Sequence, residues 1–371
     1  MATPCPTIPL DSAVSWKTWS KSKHQRLFLK LQERLQAFLE EKGYTYTRLN
    51  PLETKKQLDS LRVRKTDKID AEKLAQSQFV LNRKPTYVQE EVYQDLRDLS
   101  RFYQNLTEDT VRTKNRLHKV LQVTFPEIES ILSAPTGEQY WQLVRAFPCK
   151  AFVLDLSEED LAEIIHQSTS KRISDKRVEY LVDKLIGLAK QSYCAAKKNS
   201  PMIEEVRYYA GELQRLTERR QTILDKMVEL AKPLPEYEIL LSIPGIAETT
   251  ATSIIGKLGD IRRFQSPNQI NAFIEIDLRH YESGNYLAQE HITKRGNPYA
   301  RKILFKTIHN IASASHTNPC HIADFYEKRK RQSQTTSTKP HTIASMHRLI
   351  RTMYYLITHN KLYDYTLTQN H

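Results

Sequence analysis

Two stretches of this chain repeat apolar residues at alternating steps of three and four, which restricts them to long helices whose seams must be covered. In the first, Val92, Leu96, Leu99, Tyr103, Leu106, Thr110, Thr113, Leu117 and Val120 carry the pattern. In the second, Val206, Leu213 and Met227 hold one seam position and Tyr209, Leu216, Ile223 and Leu230 the other, with Arg220 as the exception. Such spacing keeps one stripe of a helix facing a partner. The partner is either the other segment or a second subunit, and an ordinary pair of bundle helices fits so few heptads equally well. Only nine glycines among 371 residues extend the helical expectation to most of the chain.

The flanking segments are shorter. Residues 1–33 are basic through Lys17, Lys21, Lys23, Arg26 and Lys30, with weak periodicity. Leu35, Phe38 and Leu39 then form a helical stripe that Gly43 is placed to end. Tyr44 to Leu49 reads as a strand, Pro51 as a stop, and a second helix is expected near Thr66, carrying Asp67, Asp70, Ala71 and Leu74. Helix, strand, helix suggests a small α/β part. Residues 126–200 read as a helical insert, with Ser157-Glu158-Glu159-Asp160 as a cap signal and Lys171-Arg172 and Lys176-Arg177 as a solvated face. Pro233 and Pro235 end the second heptad segment. A last helix follows Pro340, through Ile343, Met346, Leu349, Ile350 and Met353, before a polar end expected to fray.

Composition narrows the partners. Lys and Arg total 56 against 43 Asp and Glu, a formal charge of +13, which favours nucleic acid over a neutral ligand. A mean hydropathy of -0.59, with no long apolar run, disfavours a membrane. Cys5, Cys149, Cys194 and Cys320 have neither zinc-like nor redox-like spacing and read as reduced thiols of a cytoplasmic protein. The absence of GxGxxG and Walker patterns excludes the usual nucleotide loops.

Three features could carry chemistry. Leu240-Leu241-Ser242-Ile243-Pro244-Gly245-Ile246, followed by a helix over Thr249–Leu258, looks like a helix-hairpin-helix; its Pro244-Gly245 turn would offer backbone N–H groups to a DNA phosphate, or simply connect two helices. Residues 291–351 hold twelve Lys or Arg, among them Lys294, Arg295 and Arg301, against Asp324 and Glu327, a charge excess that fits a phosphate-lined partner. Some of these, Lys328 to Arg331 above all, fit a solvated face. Ser283, in His280-Tyr281-Glu282-Ser283-Gly284, is either a turn residue or a nucleophile. As a nucleophile it needs a proton acceptor and a positive site, which Arg279, His280, Lys294 and Arg295 could supply. Asp67 and Asp70, three apart on a helix, could hold Mg²⁺, although Asp67 also suits a first turn by its charge alone.

Together these stretches resemble the IS110 family of bacterial insertion-sequence transposases. The resemblance is carried by Lys65-Thr66-Asp67-Lys68-Ile69-Asp70-Ala71, Lys114-Asn115-Arg116-Leu117-His118, the hairpin Leu240–Phe264, and Tyr281-Glu282-Ser283-Gly284 with Lys294-Arg295-Gly296-Asn297. It implies a DNA recombinase that is mainly α with a small α/β part: a remnant RuvC-like (RNase H-like) domain, long coiled-coil helices and a helical C-terminal serine domain. Ser283 would be the nucleophile, and Asp67 and Asp70 two of four Mg²⁺-binding acids. Pro244, Gly245, Arg279, Lys294, Arg295, Asn297 and Arg301 would contact nucleic acid. The implied partners are DNA, a noncoding bridge RNA and further copies of the chain, in the bacterial cytoplasm at the nucleoid. The expected divisions are 1–33, 34–85, 86–235, 236–360 and 361–371. The family's first Asp has no counterpart, and its Glu falls near Gln25 or Arg26, so the chain is expected to be truncated at its N-terminus. The alternative to an active enzyme is therefore an impaired transposase that only binds DNA or RNA. Glu275 stands where the family pattern calls for a small residue, usually glycine.

Overall fold

The computed structural model describes residues 34–47, 85–276, 278–279, 282–283, 286–287, 291–292, 296–333 and 336–368. The chain divides into two compact units at Val88 and Gln89.

In the N-terminal unit, residues 34–41 form helix α1. Gly43, at φ 69°, ends it as expected. The Gly43 N–H donates to the Glu40 carbonyl at 3.0 Å and the Tyr44 N–H to the Leu39 carbonyl at 2.8 Å, the paired bonds of a left-handed helix stop. Residues 44–47 then run as irregular backbone, not as the expected strand. The aromatic and β-branched pattern expresses a preference for packing on a sheet neighbour, which local sequence cannot supply. Arg48, Leu49, the helix expected around Asp67 and Asp70, and residues 1–33 lie outside the described residues.

The second unit is built on the two heptad segments. They form helices α2 (Glu91–Thr124) and α7 (Pro201–Ala231), which pack against each other within the chain. The pair is antiparallel: Leu117 and Leu121 share a core with Val206 and Leu213, whereas Leu96 and Leu106 share another with Ile223 and Met227. The exception in the pattern, Arg220, is accommodated at the seam. Its guanidinium lies 5.2 Å from the Tyr103 ring and donates to the Tyr103 hydroxyl at 3.1 Å, a cation–π contact that keeps a charge at a half-buried position. Residues off the seam, such as Tyr93, Ser100 and Val228, are buried as well, because further helices cover a second face of the pair. The pair is thus part of a bundle.

Between the two long helices the insert forms α3 (Glu138–Ala146), α4 (Ala151–Leu154), α5 (Glu158–Gln167) and α6 (Asp175–Gln191). Trp141, Leu143, Leu161, Ile165, Leu181 and Leu185 close the core at this end. The expected cap is present: Ser157 Oγ accepts from the Asp160 N–H at 3.1 Å, and the Asp160 carboxylate accepts from the Ser157 N–H at 3.4 Å. Lys171, Arg172, Lys176 and Arg177 are all exposed, as a solvated face requires. Cys149 and Cys194, distant in sequence, lie side by side here; burial and the neighbouring thiol push the Cys194 thiol up.

The other end of the pair carries α8 (Pro235–Leu241), α9 (Glu248–Leu258), α10 (Pro267–Ile274), α11 (Pro298–Ala314), α12 (His321–Arg331) and α13 (Lys339–Thr358). Their core runs through Ile254, Leu258, Leu304, Ile308, Leu349 and Met353 to Ile223 and Met227 of α7. Beneath it, the Glu236 carboxylate is 3% exposed. It accepts from the Tyr93 hydroxyl at 2.5 Å and from the Arg262 guanidinium at 2.9 Å, so the buried charge is paired. Four two-residue strands, β1 (Leu278–Arg279), β2 (Glu282–Ser283), β3 (Tyr286–Leu287) and β4 (His291–Ile292), are the only ones among the described residues.

The expected frayed end is a correction over residues 361–368, which dock on the bundle. The Tyr363 N–H donates to Ser242 Oγ at 2.8 Å, and the Tyr363 hydroxyl accepts from the His321 N–H at 3.1 Å. Burial, and then the charge of Arg348, push His321 down to about 4. The neutral ring therefore takes the Tyr363 hydroxyl proton at Nδ1 over 2.8 Å. An aromatic residue in the polar tail supplies the anchor that composition concealed.

Candidate nucleic-acid interface

The expected hairpin is a turn between α8 and α9, and one side of it faces inward. Ile243 and Ile246 are buried. Ser242 Oγ donates to the Ile239 carbonyl at 2.6 Å while accepting from Tyr363. Gly245 has φ 86°, and a Cβ there would lie 2.6 Å from Ile311 Cα in α11. Glycine is thus required twice, by the positive φ and by the close approach of a helix backbone. Pro244 beside it is half-buried. No side chain caps α9 at Ala247, so its first amides have no side-chain acceptor at the positive end of the helix dipole.

A groove of about 160 Å³ begins at that helix start. Thr249, Thr250 and Ser253 line it from α9, Lys302, Lys306 and Asn310 from α11, and Ser100 and Thr107 from α2. Hydroxyls and ammonium groups around one helix start suit a phosphate oxygen better than an apolar ligand. This arrangement was not singled out in the sequence. The i, i+4 spacing of Lys302 and Lys306, which puts both on one helix face, is the signal that could have found half of it.

Ser283 lies in β2, which follows buried Ile276 in the chain. Leu278 pairs with Ile292 and Arg279 with His291 in one two-stranded sheet, and Glu282 pairs with Leu287 and Ser283 with Tyr286 in another. Gly284 and Asn285, between the partners in sequence, are residue types that two-residue hairpin connections favour. Lys294, Arg295, Asp67 and Asp70 lie outside the described residues.

After these strands in sequence, Asn297 and Arg301 have structural work. Asn297 Oδ1 accepts from the Tyr299 and Ala300 N–H groups at 3.1 and 3.2 Å, capping α11, with Pro298 in the first turn. Arg301 donates to the Ile274 carbonyl at 2.8 Å, at the C-terminal end of α10 where a cation is favoured. Glu275 ends that helix at φ 51°, ψ 56°, a left-handed position. The expectation of glycine there thus has a conformational basis. A Cβ on Gly296 would meet the Phe273 carbonyl oxygen at 2.7 Å, so the chain that follows the strands lies against the end of α10.

The rest of the basic stretch divides in two. Lys330 and Arg331 are exposed in the last turn of α12, where positive charge suits the dipole. Lys328, Arg329 and Arg348 instead surround Phe325 in an open cleft of about 490 Å³, with Arg348 4.8 Å and Arg329 5.7 Å from the ring. Among the described residues no group of three or more His, Cys, Asp or Glu gathers to hold a metal, and no helix is long and apolar enough to cross a membrane.

Two family models match this sequence. One, described as Transposase and named for a DEDD domain of IS110, matches residues 30–126; the other, described as Transposase IS116/IS110/IS902 family, matches residues 237–327. The transposase for insertion sequence element IS1111A of Coxiella burnetii is 37% identical over 80 residues, 22% of each chain. An uncharacterized 43.6 kDa protein of insertion element IS110 from Streptomyces coelicolor is 21% identical over 218 residues, 58% of this chain and 52% of that one. A probable family 20 transposase of Pseudomonas aeruginosa is 29% identical over 106 residues, 28% of this chain and 31% of that one. The matches thus span from about a fifth to about half the length of these curated relatives.

Proposed function

The chain belongs to the IS110 family of transposases, and we propose that it breaks and rejoins DNA through Ser283. In this reading Oγ of Ser283 attacks a backbone phosphorus. A serine–phosphate ester forms as the bond to one strand end breaks, and the strand end departs as a hydroxyl. The serine proton passes to a nearby acceptor and the departing oxygen gains one. Arg279, His280, Lys294 and Arg295, close in sequence, are the groups available for the proton and for the phosphate charge. The observation that carries the reading is the strand pairing. The Ser283 backbone pairs with Tyr286 in an antiparallel pair of strands, and Asn297 and Arg301 fix the start of the helix that follows those strands in sequence against the end of α10.

Asp67 and Asp70 have the hard oxygen donors that Mg²⁺ takes, and an ion held there would add positive charge near the reacting phosphate. The groove at the start of α9, with Lys302 and Lys306, would hold DNA by its backbone, leaving sequence choice to a noncoding bridge RNA paired with donor and target. A homo-oligomer would bring the acids of one copy to the serine of another.

The test is covalent trapping. Protein incubated with its RNA and DNA sites and quenched in denaturant is expected to carry DNA on serine, and Ser283→Ala to abolish the adduct. An adduct that survives the substitution refutes the assignment. Binding without any adduct in the unaltered protein would favour the impaired transposase that only binds nucleic acid.

A further inference from the structure

We propose that the open cleft between α12 and α13 holds an unpaired nucleotide of a nucleic-acid strand, recognised by Arg329 and Arg348 over the Phe325 ring. The proposal rests on the reading of the protein as nucleic-acid-binding. It adds a site for single strands, lined by other residues than the groove at the start of α9.

Three segments build the cleft. On α12, Phe325, Lys328 and Arg329 stand at i, i+3 and i+4 and so share one face, while Ile322, Ala323 and Tyr326 turn into the core. Arg348 reaches the same ring from α13, 4.8 Å from its centre against 5.7 Å for Arg329. The docked tail adds Tyr365, whose hydroxyl donates to Asp324 Oδ2 at 3.0 Å. That tail is fixed in turn by Tyr363 on His321 and Ser242. The space between the walls, about 490 Å³, falls in the range of ligand clefts, roughly 300–1,000 Å³.

The chemistry of the walls selects the occupant. Lys328, Arg329 and Arg348 have neither a carboxylate partner nor a side-chain hydrogen bond among the described residues; the neighbouring acid Glu327 pairs with Lys330 at 3.6 Å instead. A guanidinium held over a ring keeps its N–H edge free for an acceptor, and its plane can also take a stacked base. His321 adds no charge: its ring is neutral, and its nitrogens are taken by Tyr363 and Thr352. Asp324 stands among the cations with Oδ1 unbonded among the described residues. A carboxylate there opposes a bare anion, yet accepts from the N–H of a base or the hydroxyl of a sugar. The walls thus suit a ligand that carries phosphate charge, a flat ring and hydrogen-bond donors together, as a nucleotide does. In a duplex the ring is stacked and its donors are paired, so only an unpaired nucleotide can enter.

The experiment measures, by fluorescence anisotropy on the full chain, binding of labelled oligo-uridine and oligo-thymidine of about ten nucleotides, beside a duplex of equal length. Arg348→Gln and Arg329→Gln are each expected to weaken single-strand binding about tenfold and to reduce the slope of log K against log salt by about 0.7. Duplex binding is expected to change less than about twofold. Phe325→Leu keeps every charge and is expected to weaken single-strand binding as much, which a diffuse basic surface would not show. Photocross-linking of the parent to a strand bearing 5-iodouracil is expected to mark Phe325 or Tyr365, and reads the site even where a variant fails to fold. Cross-links found only elsewhere, parent-like affinity in Phe325→Leu, or equal losses for single strand and duplex overturn the site. Binding confined to RNA or to DNA keeps the site and names its source. If the parent ignores duplex DNA but holds single strands through Arg348, the DNA-joining reading fails and the cleft stands.

Discussion

Gly245 offers the sharpest test of what the Pro-Gly turn is for. Substituting alanine asks a residue with a Cβ to hold φ 86°, which costs about 1–2 kcal/mol for any L-amino acid other than glycine. It also sets the new carbon 2.6 Å from Ile311 Cα, 2.7 Å from Ile311 N and 2.8 Å from the Asn310 carbonyl carbon. Carbon contacts settle near 3.5–4.0 Å, so the turn and α11 must separate by roughly 1 Å. The atoms in the way are helix backbone, which cannot rotate aside like a side chain. Overpacking of this kind costs about 1–3 kcal/mol, and the two effects together give about 2–5 kcal/mol. Urea unfolding followed by far-ultraviolet circular dichroism would show the loss as a lower midpoint at unchanged slope. A loss under about 1 kcal/mol would refute the packing argument, being smaller than either cost alone. Unchanged stability with weakened DNA binding would return the glycine to ligand contact.

Three other outcomes are expected. Asn297→Ala should destabilise the chain by about 0.5–2 kcal/mol by uncapping α11; a fall in DNA affinity with no change in urea midpoint would show that the cap is not its main role. Arg262→Met leaves the Glu236 carboxylate buried with only Tyr93 as partner and should cost about 2–4 kcal/mol, below a fully buried case because Arg262 is partly in water; a variant as stable as the parent would contradict this. Because Lys257 sits at about 8 in the folded chain against 10.5 ordinarily, the unfolded chain binds more protons between those values. The penalty of burying it, at 7% exposure, is full below about pH 8 and fades as pH rises toward 10. The parent should therefore gain stability relative to Lys257→Met across that window, and a flat difference would count against the burial described.

What could be read from the sequence was local. Alternating three and four spacing located the long helices, since a seam needs nothing beyond its own residues. The pairing of α2 with α7 followed only from the fold, and so did the tolerance for Arg220, which depends on Tyr103 lying opposite. Ser157 with Asp160, and the odd position of Glu275, were visible because a cap is a matter of a few neighbours. Asn297-Pro298 is a cap of the same kind, which shows only once the helix it begins is in view. The strand pairs escaped notice because strands of two residues carry no periodicity. The groove escaped because α2, α9 and α11 lie far apart in sequence, and α9 meets α2 through Gly256, where a Cβ would lie 2.6 Å from the Leu96 carbonyl oxygen and the deciding property is a missing carbon. Tyr363 showed only as one aromatic residue in a polar tail.

The antiparallel pair has one more consequence. Helix α2 alone, at 34 residues, spans about 50 Å, and the two cores grip it at opposite ends. A tilt of about 5° at the insert would swing the far tip by roughly 4 Å over that length, more than a hydrogen bond can stretch.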